Sequence, residues 1–383
     1  MTCQSTMISS QFFSLTSLAL IANLSLTGSF SRMYVSHPGL LGLSSSFSRN
    51  INLYNFKSHF SSAPLIYGTF NTVLLSNVHV SNSLQPVNIN KETIGEPADY
   101  YQSKVTITNS VFEGCFIEGD EHHGGAIEFE SCLVKINKCV FDYCFASHGG
   151  AIYANDTTIE IKNTNFTSNS AIYYGGALLM VNSKFTITGG FSRLNSALFH
   201  ACFDIHECNG TIDAHHLLNN TADDDCAGIS IRESTVDLHN MYFIHNHANM
   251  IPGAIQIEEG DRDDAATKVR ITRCFFISNE AQEEPINIQF YGQFVEGTVE
   301  RCVFDAPLKE AIFESFDPKV KITNCRYSVK ISNPFKNLIE DHLNIIEYSK
   351  SLEHTKSDYL ATILILAIPT YIGIVFFILL KTK

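Results

Sequence analysis

The chain has no tryptophan, few charged residues and a shortage of basic ones. Lys and Arg number 26 against 39 Asp and Glu among 383 residues, which gives a formal net charge of −13. Nucleic-acid binding needs clustered basic side chains, and no basic stripe is present, so the sequence excludes nucleic acid as a partner. Charged residues make up only 17% of the chain and hydrophobic residues 45%. This balance excludes wholesale disorder and predicts an extensive core.

A glycine-containing motif recurs along the chain at a regular spacing. A double glycine followed by alanine and an aliphatic residue is intact three times, at Gly124–Ile127, Gly149–Ile152 and Gly175–Leu178. Weaker copies continue the series, so that the small residue falls at positions 126, 151, 177, 202, 228 and 254, always 25 or 26 residues apart. A regular period of this length is typical of a chain built from stacked supersecondary units.

A second motif follows with a similar period. Two apolar residues two positions apart precede a small or sulfur-containing residue and an aromatic one, as in Val134, Ile136, Cys139 and Phe141. The apolar pair marks a short strand with one buried face. Each repeat is too short to hold a packed helix as well, and no single repeat can bury its own apolar face. We therefore predict an all-β fold, a right-handed parallel β-helix of about eleven coils between Phe47 and Ser332.

The aromatic positions of the second motif lie above one another in such a fold. Flat rings stack well in a narrow interior, whereas an indole would crowd it, which is consistent with the absence of tryptophan. The predicted internal column comprises Phe112, Phe141, Phe166, Phe191, Phe243, Phe276, Phe304 and Tyr327.

Asparagine recurs three positions after the aromatic residue. Its amide can bond its equivalent one coil away, and its backbone tolerates the left-handed conformation of a tight corner. The predicted internal ladder comprises Asn169, Asn220, Asn246 and Asn279, with Asn195 displaced by one position. The paired glycines are predicted to be corner residues, where a positive φ or a close backbone approach excludes a Cβ. Neither signature is catalytic.

The two alternating motifs resemble those of a known family. Gly-Gly-Ala-Ile together with Phe-x-x-Asn, here Phe166–Asn169, Phe243–Asn246 and Phe276–Asn279, resembles the paired repeats of the chlamydial polymorphic membrane proteins between Val105 and Tyr327. In that family the β-helix is an adhesin that ends in an outer-membrane barrel. This chain departs from that pattern at its C-terminal end. It looks more like the related surface proteins of parasites such as trichomonads, which carry similar repeats on one transmembrane helix. The resemblance implies a β-helix with an adhesive role.

The end of the chain carries the longest apolar run. Tyr359–Leu380 contains no charged residue, and as a helix its 22 residues would span about 33 Å, enough to cross a bilayer. We predict a single transmembrane helix there, with membrane lipid as its partner and a kink near Pro369. The predicted location is the plasma membrane, with the β-helix extracellular. Residues 381–383 form a short tail.

Three further segments complete the predicted organisation. Residues 1–30 contain an apolar stretch, Phe12–Leu26, and are either a cleaved signal peptide or the first strand or cap of the domain. The β-helix is assigned to residues 31–332, within which the charged stretch Val87–Gln102 is predicted to be a surface loop. Residues 333–358 are predicted to form an amphipathic cap and a linker.

The 11 cysteines show no zinc-binding spacing. Four of them take the small inward position of the second motif, where a buried, inert thiol is expected. These four are Cys139, Cys274, Cys302 and Cys325. Cys115 and Cys144 instead take the ladder position in two adjacent coils, about 5 Å apart. We predict a disulfide between them if the domain is extracellular, and two free thiols if the compartment is reducing.

β-Helices also house polysaccharide lyases and hydrolases, whose sites gather acidic side chains on one face. Two acidic runs, Asp223–Asp225 and Asp261–Asp264, fall in turns and are interpreted as solvated loops, because acids and aromatics do not repeat over several coils. His122, His123 and His148 precede glycine pairs and could bind a transition metal. No cysteine or acidic residue completes that set, so polar corner residues are favoured. The sequence therefore predicts no catalytic residue, no metal and no cofactor.

The sequence favours a membrane-anchored surface protein with a structural or adhesive role, whose partner is a host protein or a glycan, and not an enzyme. A carbohydrate-active enzyme at the cell surface and a tail-anchored intracellular protein are the alternatives. Four Asn-x-Ser/Thr sequons within residues 31–332 agree with an extracellular domain. The candidate N-glycosylation sites are Asn155, Asn165, Asn209 and Asn219.

Overall fold

The computed structural model describes most of the repeat region and not the C-terminal segments. The described residues are 2–4, 23–31, 50–59, 64–68, 70–89, 103–120, 122–260 and 266–330. The predicted cap and linker (333–358), membrane span (359–380) and tail (381–383) lie outside these ranges. Within the ranges, no helix is long and apolar enough to cross a membrane.

The chain winds as a parallel β-solenoid of the right-handed type with about 10 turns. Three sheets, here called A, B and C, run along it and contain 20, 10 and 6 strands. Strands of neighbouring turns pair in parallel, as Ile127 does with Ile152 and Val134 with Ile159. The predicted parallel β-helix is confirmed, with a turn number close to the predicted one.

The strand bounds show two short sheet A strands, one sheet B strand and one short sheet C strand in most turns. The strands of sheet A are Thr2–Gln4, Asn23–Ser31, Asn50–His59, Thr72–Ser76, His79–Ser81, Ser103–Thr108, Val111–Glu113, Cys132–Asn137, Val140–Asp142, Thr158–Thr167, Lys184–Arg193, Asn209–Asp213, His216–Leu218, Thr235–His239, Tyr242–Ile244, Thr267–Thr272, Phe275–Ile277, Val295–Glu300, Val303–Phe304 and Lys319–Thr323. The strands of sheet B are Ile66–Tyr67, Val87–Ile89, Ile127–Glu130, Ile152–Asn155, Leu178–Val181, Phe203–His206, Ile229–Arg232, Ile255–Glu258, Ile288–Tyr291 and Ile312–Ser315. The strands of sheet C are Phe145–His148, Ser170–Tyr174, Ser196–Ala197, Thr221–Ala222, His247–Ala248 and Glu280–Ala281. The described ranges contain one helix, Leu308–Ala311.

Alternate residues of each strand point into a closed apolar core. In sheet B, for example, Ile127 and Phe129 are 0% exposed, and Ile229 and Ile231, four turns further along, are 0% exposed as well. The residues between them face outward, because side chains alternate across a strand. Each inward residue lies against its equivalents in the turns above and below, so the core continues from turn to turn.

Left-handed residues form the corner that leads into sheet B. Gly124, Gly149 and Gly175 have φ angles of 63°, 61° and 64°. This conformation costs most other residues about 1–2 kcal/mol. A Cβ on the second glycine of a pair would also clash, since at Gly150 it would lie 2.1 Å from the carbonyl oxygen of Gly176. Both parts of the predicted glycine role are confirmed.

The aromatic column is stacked, but in two parts. In the first part, the ring centroids of Phe112, Phe141 and Phe166 follow one another at 5.1 and 5.2 Å. In the second part the spacings are 4.9, 4.6 and 5.1 Å. The second part consists of Phe243, Phe276, Phe304 and Tyr327.

Phe191 does not belong to the column, and its predicted place there is wrong. Parallel pairing aligns Thr164 with Gly190 and Phe166 with Ser192, so the inward positions of this turn fall on Gly190 and Ser192 and not on Phe191. Phe191 therefore points away from the column, and the guanidinium carbon of Arg193 lies 5.3 Å from its ring centroid. His215 occupies the gap in the core, with Nε2 at 2.8 Å from Ser192 Oγ.

The asparagine ladder runs along the corner between sheets A and C. The side-chain amide nitrogen of each of the first four members donates to Oδ1 of the asparagine one turn further on, at 2.8–3.0 Å. The members are Asn169, Asn195, Asn220, Asn246 and Asn279, which are at most 3% exposed. Asn195 is in register and not displaced, because it follows the inward residue Ser192 by three positions. The left-handed residue is the one before the asparagine, such as His245 with φ 52°, and not the asparagine itself.

Two strands of sheet B fall outside the repeats seen in the sequence. Val87–Ile89 pairs with Ile127–Glu130, so the prediction of a surface loop beginning at Val87 is wrong for these three residues. Residues 90–102 lie outside the described ranges. Ile288–Tyr291 pairs with Ile255–Glu258 although no glycine pair precedes it. Parallel pairing holds both strands in place without the motif.

The cysteines at the inward position are buried or half-buried free thiols. Burial raises the pKa of Cys139 to about 11. The thiol of Cys274, followed by burial, raises the pKa of Cys302 to about 12. Because the thiolate is the reactive form, Cys139 and Cys302 are poor nucleophiles at pH 7, in agreement with their predicted inert role.

Cys115 and Cys144 lie in adjacent turns at the ladder position, since Phe112 pairs with Phe141 three residues before them. Cys144 Sγ lies 3.6 Å from the carbonyl oxygen of Phe112. The amide of Asn169 donates to the equivalent carbonyl of Phe141 at 3.1 Å. Both thiols are free in this structure, and the disulfide between them stays a prediction.

Candidate functional site

The outward residues of sheet B form a polar row along the solenoid. The second residue of each strand from Val87–Ile89 to Ile288–Tyr291 points away from the core, and parallel register stacks these residues from turn to turn. The first three are half-buried, whereas the five from Leu179, the one apolar member, to Gln289 are at most 9% exposed. At one strand spacing per turn the row is about 34 Å long. We call it the polar floor. It consists of Asn88, Glu128, Tyr153, Leu179, Asp204, Ser230, Gln256 and Gln289.

A column of rings lies beside the floor, at the corner where sheet C leads into sheet B. In successive turns His123 pairs with His148, His148 with Tyr174, and Tyr174 with Phe199. Their ring centroids are 5.1, 5.7 and 5.3 Å apart. The ring of His123 also stacks on that of the floor residue Tyr153 at 4.4 Å. The rings of His148, Tyr174 and Phe199 stack face to face, whereas His123 is tilted against His148. A ligand would therefore meet mainly the ring edges, which carry nitrogen atoms in the histidines and a hydroxyl group in Tyr174. We call these four residues the ring column, and the column and floor together the outer strip.

An ion pair lies where the ring column meets the floor. His200 Nδ1 is 3.2 Å from Asp204 Oδ2, and the two side chains are 15% and 12% exposed. Burial opposes a charge on His200, but the carboxylates of Asp204, Glu258 and Asp225 outweigh burial and raise the pKa of the imidazole. This part of the strip therefore favours an imidazolium among carboxyl groups.

The carboxyl groups around His200 are partly desolvated. Burial is the main cause of the raised pKa of Asp225. Burial also raises the pKa of Glu258, although His200 and Arg232 act in the opposite direction. Gln256 Nε2 donates to Glu258 Oε1 at 2.9 Å. A carboxyl group with a raised pKa beside an imidazolium is an arrangement that can transfer protons.

At the other end of the strip, two side-chain amides hold Glu128. Gln85 Nε2 and Asn88 Nδ2 donate to Glu128 Oε2 at 3.1 and 2.7 Å. Burial raises the pKa of Glu128 to about 6. Burial and the neighbouring His148 lower the pKa of His123 to about 4, so this imidazole is neutral at pH 7.

Several buried polar atoms of the outer strip and its neighbours have no hydrogen-bond partner among the described residues. Such atoms are uncommon in folded proteins, and water, an ion or a ligand often completes their hydrogen bonding. The atoms are Asn88 Oδ1, His123 Nδ1, His148 Nδ1, Asp225 Oδ1, Ser230 Oγ and Gln256 Oε1. Their concentration along one strip is a reason to look for function there.

Only the first of the two predicted acidic runs lies within the described residues. Asp223–Asp225 lies in a turn, as predicted, and Asp223 is exposed. The interpretation as a solvated loop is wrong for Asp225, because this residue is half-buried and faces His200. The second run, Asp261–Asp264, lies outside the described residues.

The predicted histidine group is only partly brought together. His123 and His148 lie one above the other in adjacent turns, as predicted, while His122 is exposed. Among the residues that the structure describes, a different group brings three metal-ligating atoms within 4.8 Å of one another. That group is His206, Glu207 and Glu233.

The sequon asparagines lie outside the core. Asn209 is exposed, and Asn155, Asn165 and Asn219 are half-buried. Asn165 Oδ1 accepts a hydrogen bond from the backbone N–H of Phe191 at 3.2 Å. Glycosylation at these positions stays a prediction.

The sequence alone does not reveal the outer strip. Its signal is a polar residue between two apolar ones in the strand after the small residue, as in Phe203–Ile205 and Ile255–Ile257. This pattern by itself is that of any half-exposed strand. The partners that make Asp204 distinctive, His200 and Asp225, reach it only through the corner geometry and the register between turns.

No family model, curated protein or solved structure matches this chain. A fold by itself does not identify a function, because unrelated activities share folds. Function is therefore inferred from the site.

Proposed function

We propose that the chain is a membrane-anchored surface protein with a structural or adhesive role, in which the solenoid presents the outer strip to an extracellular glycan. The observation that carries the proposal is the part of the strip that solvent reaches, the ring column and the neighbouring floor residues Asn88, Glu128 and Tyr153, which combines ring edges, a carboxyl group and unpartnered polar atoms. A row that follows the long direction of the solenoid suits an extended chain better than a compact small molecule.

A glycan matches the chemistry of this strip through its hydroxyl groups. Tyr174, His148 and Glu128 offer both hydrogen-bond donors and acceptors, as hydroxyl recognition requires. Because the rings of His148, Tyr174 and Phe199 stack face to face, the column would bind mainly by hydrogen bonds from its edges and less by stacking. The net charge of −13 favours a neutral glycan over a sulfated or uronic acid one.

A glycan-binding screen of the full chain in detergent tests this proposal. Tyr174→Phe removes one hydroxyl and keeps the ring, and should weaken binding of the best glycan by about tenfold. Tyr54→Phe is a matched control, because both tyrosines are 36% exposed. Equal affinity of Tyr174→Phe and the unmodified chain would contradict the proposed site. Binding to matrix proteins with no glycan bound would contradict the ligand class.

The surface location is supported by features of the sequence. Tyr359–Leu380 is apolar throughout, and Asn209 lies in a sequon and is exposed. The alternating motifs, now placed in a parallel solenoid, support a relation to the polymorphic membrane protein repeats. Protease treatment of intact cells tests the location. Cleavage of the solenoid is expected, and a fully protected solenoid would favour the tail-anchored intracellular alternative.

A second candidate function, hydrolysis or elimination in a polysaccharide, is favoured by one observation. His200 and Asp204 form an ion pair beside two carboxyl groups with raised pKa, Asp225 and Glu258. A protonated carboxyl could act as a general acid towards a glycosidic oxygen. The test is the release of new chain ends from polysaccharides bound by the protein. Activity that Glu258→Gln abolishes would replace the adhesive proposal.

A further inference from the structure

We propose that His206, Glu207 and Glu233 bind a divalent transition-metal ion at the corner between sheets B and A, and that the ion joins two successive turns. His206 Nε2 lies 3.8 Å from Glu207 Oε1 and 3.8 Å from Glu233 Oε1. The three atoms lie within 4.8 Å of one another. Ligand atoms about 2.0–2.2 Å from a zinc ion are a little closer together than this, so small rotations of two glutamate side chains would complete the geometry.

The backbone at this corner does not explain why glutamate is present. Glu207 and Glu233 are left-handed, with φ angles of 54° and 47°, at equivalent places in successive turns. In the three preceding turns the place is held by Ser131, Asp156 and Asn182, which are also left-handed. Asn and Asp are the residues that adopt this conformation most readily, and glutamate has no such preference. Lys138, Tyr143 and Arg273 are also left-handed elsewhere in the solenoid, so the conformation permits glutamate here without selecting it, and side-chain contacts must account for the pair.

Burial also indicates a role for Glu233. Its side chain is 3% exposed, against 25% for His206. Gly260 in the next turn provides the space, because a Cβ there would lie 1.8 Å from Glu233 Cγ. Two carboxylates in successive turns repel each other, and removing one of them from water adds a desolvation cost. A divalent cation between them would turn the repulsion into attraction.

The donor set selects the class of ion. Two carboxylate oxygens and one imidazole nitrogen suit Zn²⁺, Mn²⁺ or Fe²⁺. Ca²⁺ instead takes about six to eight oxygen ligands and gains nothing from the imidazole. Three protein ligands leave at least one position for water. Sequence spacing does not reveal the site, because Glu233 reaches the other two residues only through stacking of the turns.

Calorimetric titration of the full chain in detergent with Zn²⁺ tests the site. We expect one tight site per chain, with the dissociation constant raised at least about tenfold in His206→Ala and in Glu233→Gln. Zn²⁺ should also raise the melting temperature, because binding stabilises the folded state only. Glu207→Gln is a third variant, whose more exposed side chain can be changed with less risk to the fold.

The matched control is His79→Ala, which removes the histidine of an exposed pair in which His79 Nε2 lies 3.3 Å from Glu113 Oε2. It should bind Zn²⁺ like the unmodified chain. The proposal is overturned if the site variants, shown to be folded by circular dichroism, keep the affinity of the unmodified chain. It is also overturned if Zn²⁺ binds only weakly and at several places, or if Ca²⁺ binds as tightly as Zn²⁺.

Discussion

The asparagine ladder and the outer strip follow the same turns at two different corners, and they differ in how strictly they repeat. In the ladder, successive turns carry asparagine at one position, with amide bonds of 2.8–3.0 Å from turn to turn. In the polar floor, the equivalent residues change from Glu128 and Tyr153 to Leu179, Asp204 and Ser230. The same parallel register stacks the identical residues of the ladder and the varying residues of the polar floor.

The difference separates residues that build the solenoid from residues that can give it a function. An inward polar side chain must match the turns above and below, because a buried amide left without a partner costs about 1–3 kcal/mol. The outer side of sheet B shows no such matching, and its residues differ from turn to turn although several of them are buried. A group of interacting outward residues that does not repeat is therefore where specific chemistry is expected.

Breaking the ladder should have the largest effect on stability. The amide of Asn246 donates to Asn279 Oδ1 at 3.0 Å and to the carbonyl of Leu217 at 3.1 Å. In Asn246→Asp the carboxylate donates to neither and places a charge in the core, so we expect a loss of about 4 kcal/mol in the free energy of unfolding. Denaturant unfolding followed by circular dichroism measures it. The exposed Asn209→Asp is the control, expected within about 0.5 kcal/mol, and equal midpoints for the two variants would contradict the ladder.

Cysteines replace asparagine at the ladder position in two adjacent turns, and they should form a disulfide when the domain lies in an oxidising compartment. A bond between Cys115 and Cys144 would close a loop of about 29 residues and contribute on the order of 3 kcal/mol by the chain-entropy estimate. Peptide mapping of unreduced protein from the cell surface should recover the two cysteines as one cross-linked peptide. Recovery of both as alkylatable thiols would contradict the bond and weaken the extracellular assignment.

The break in the aromatic column should make stability depend on pH. Burial lowers the pKa of His215 from 6.5 to about 4, despite its contact with the carbonyl of Gly189. The folded state therefore binds this proton less readily than the unfolded state, and its stability falls as pH drops from about 6.5 towards 4, by on the order of 3 kcal/mol. His215→Met, which copies Met241 of the next turn, should flatten this dependence. A slope equal to that of the unmodified chain would contradict the assignment.

A substitution in the outer strip should change the free energy of unfolding least and the pKa of a histidine most. His200 has a raised pKa, so its ion pair with Asp204 stabilises the fold below the unfolded pKa and is lost as pH rises through the folded pKa. In Asp204→Asn burial should dominate and the pKa of His200 should fall, with a loss of about 2 kcal/mol in the free energy of unfolding at pH 7 because a buried imidazole loses its partner. NMR titration of the histidine ring protons measures the shift. Asp237→Asn, on the outside of sheet A, is the control, and an unshifted His200 in Asp204→Asn would contradict the pair.

The inward features could be predicted because they leave a regular trace in the sequence. The glycine pairs, the apolar pairs and the asparagines recur at nearly constant spacing, and stacking turns them into corners, core and ladder. The error at Phe191 shows the limit of this inference. Phe191 lies one residue from the inward position, and its surrounding sequence resembles that of the true column members. Only strand pairing shows that Ser192 takes the inward position.

The sequence by itself determined that the chain is an all-β solenoid, because nearest-neighbour stacking requires like residues at a fixed period. Only the tertiary structure decided which outward residues meet. Asp225 lies near His200, and Glu233 lies near His206, in each case from the next turn. Residues outside the core are under no requirement to repeat, so no spacing marks them. Their neighbours are set by the corner conformations and by the register of each turn on the next.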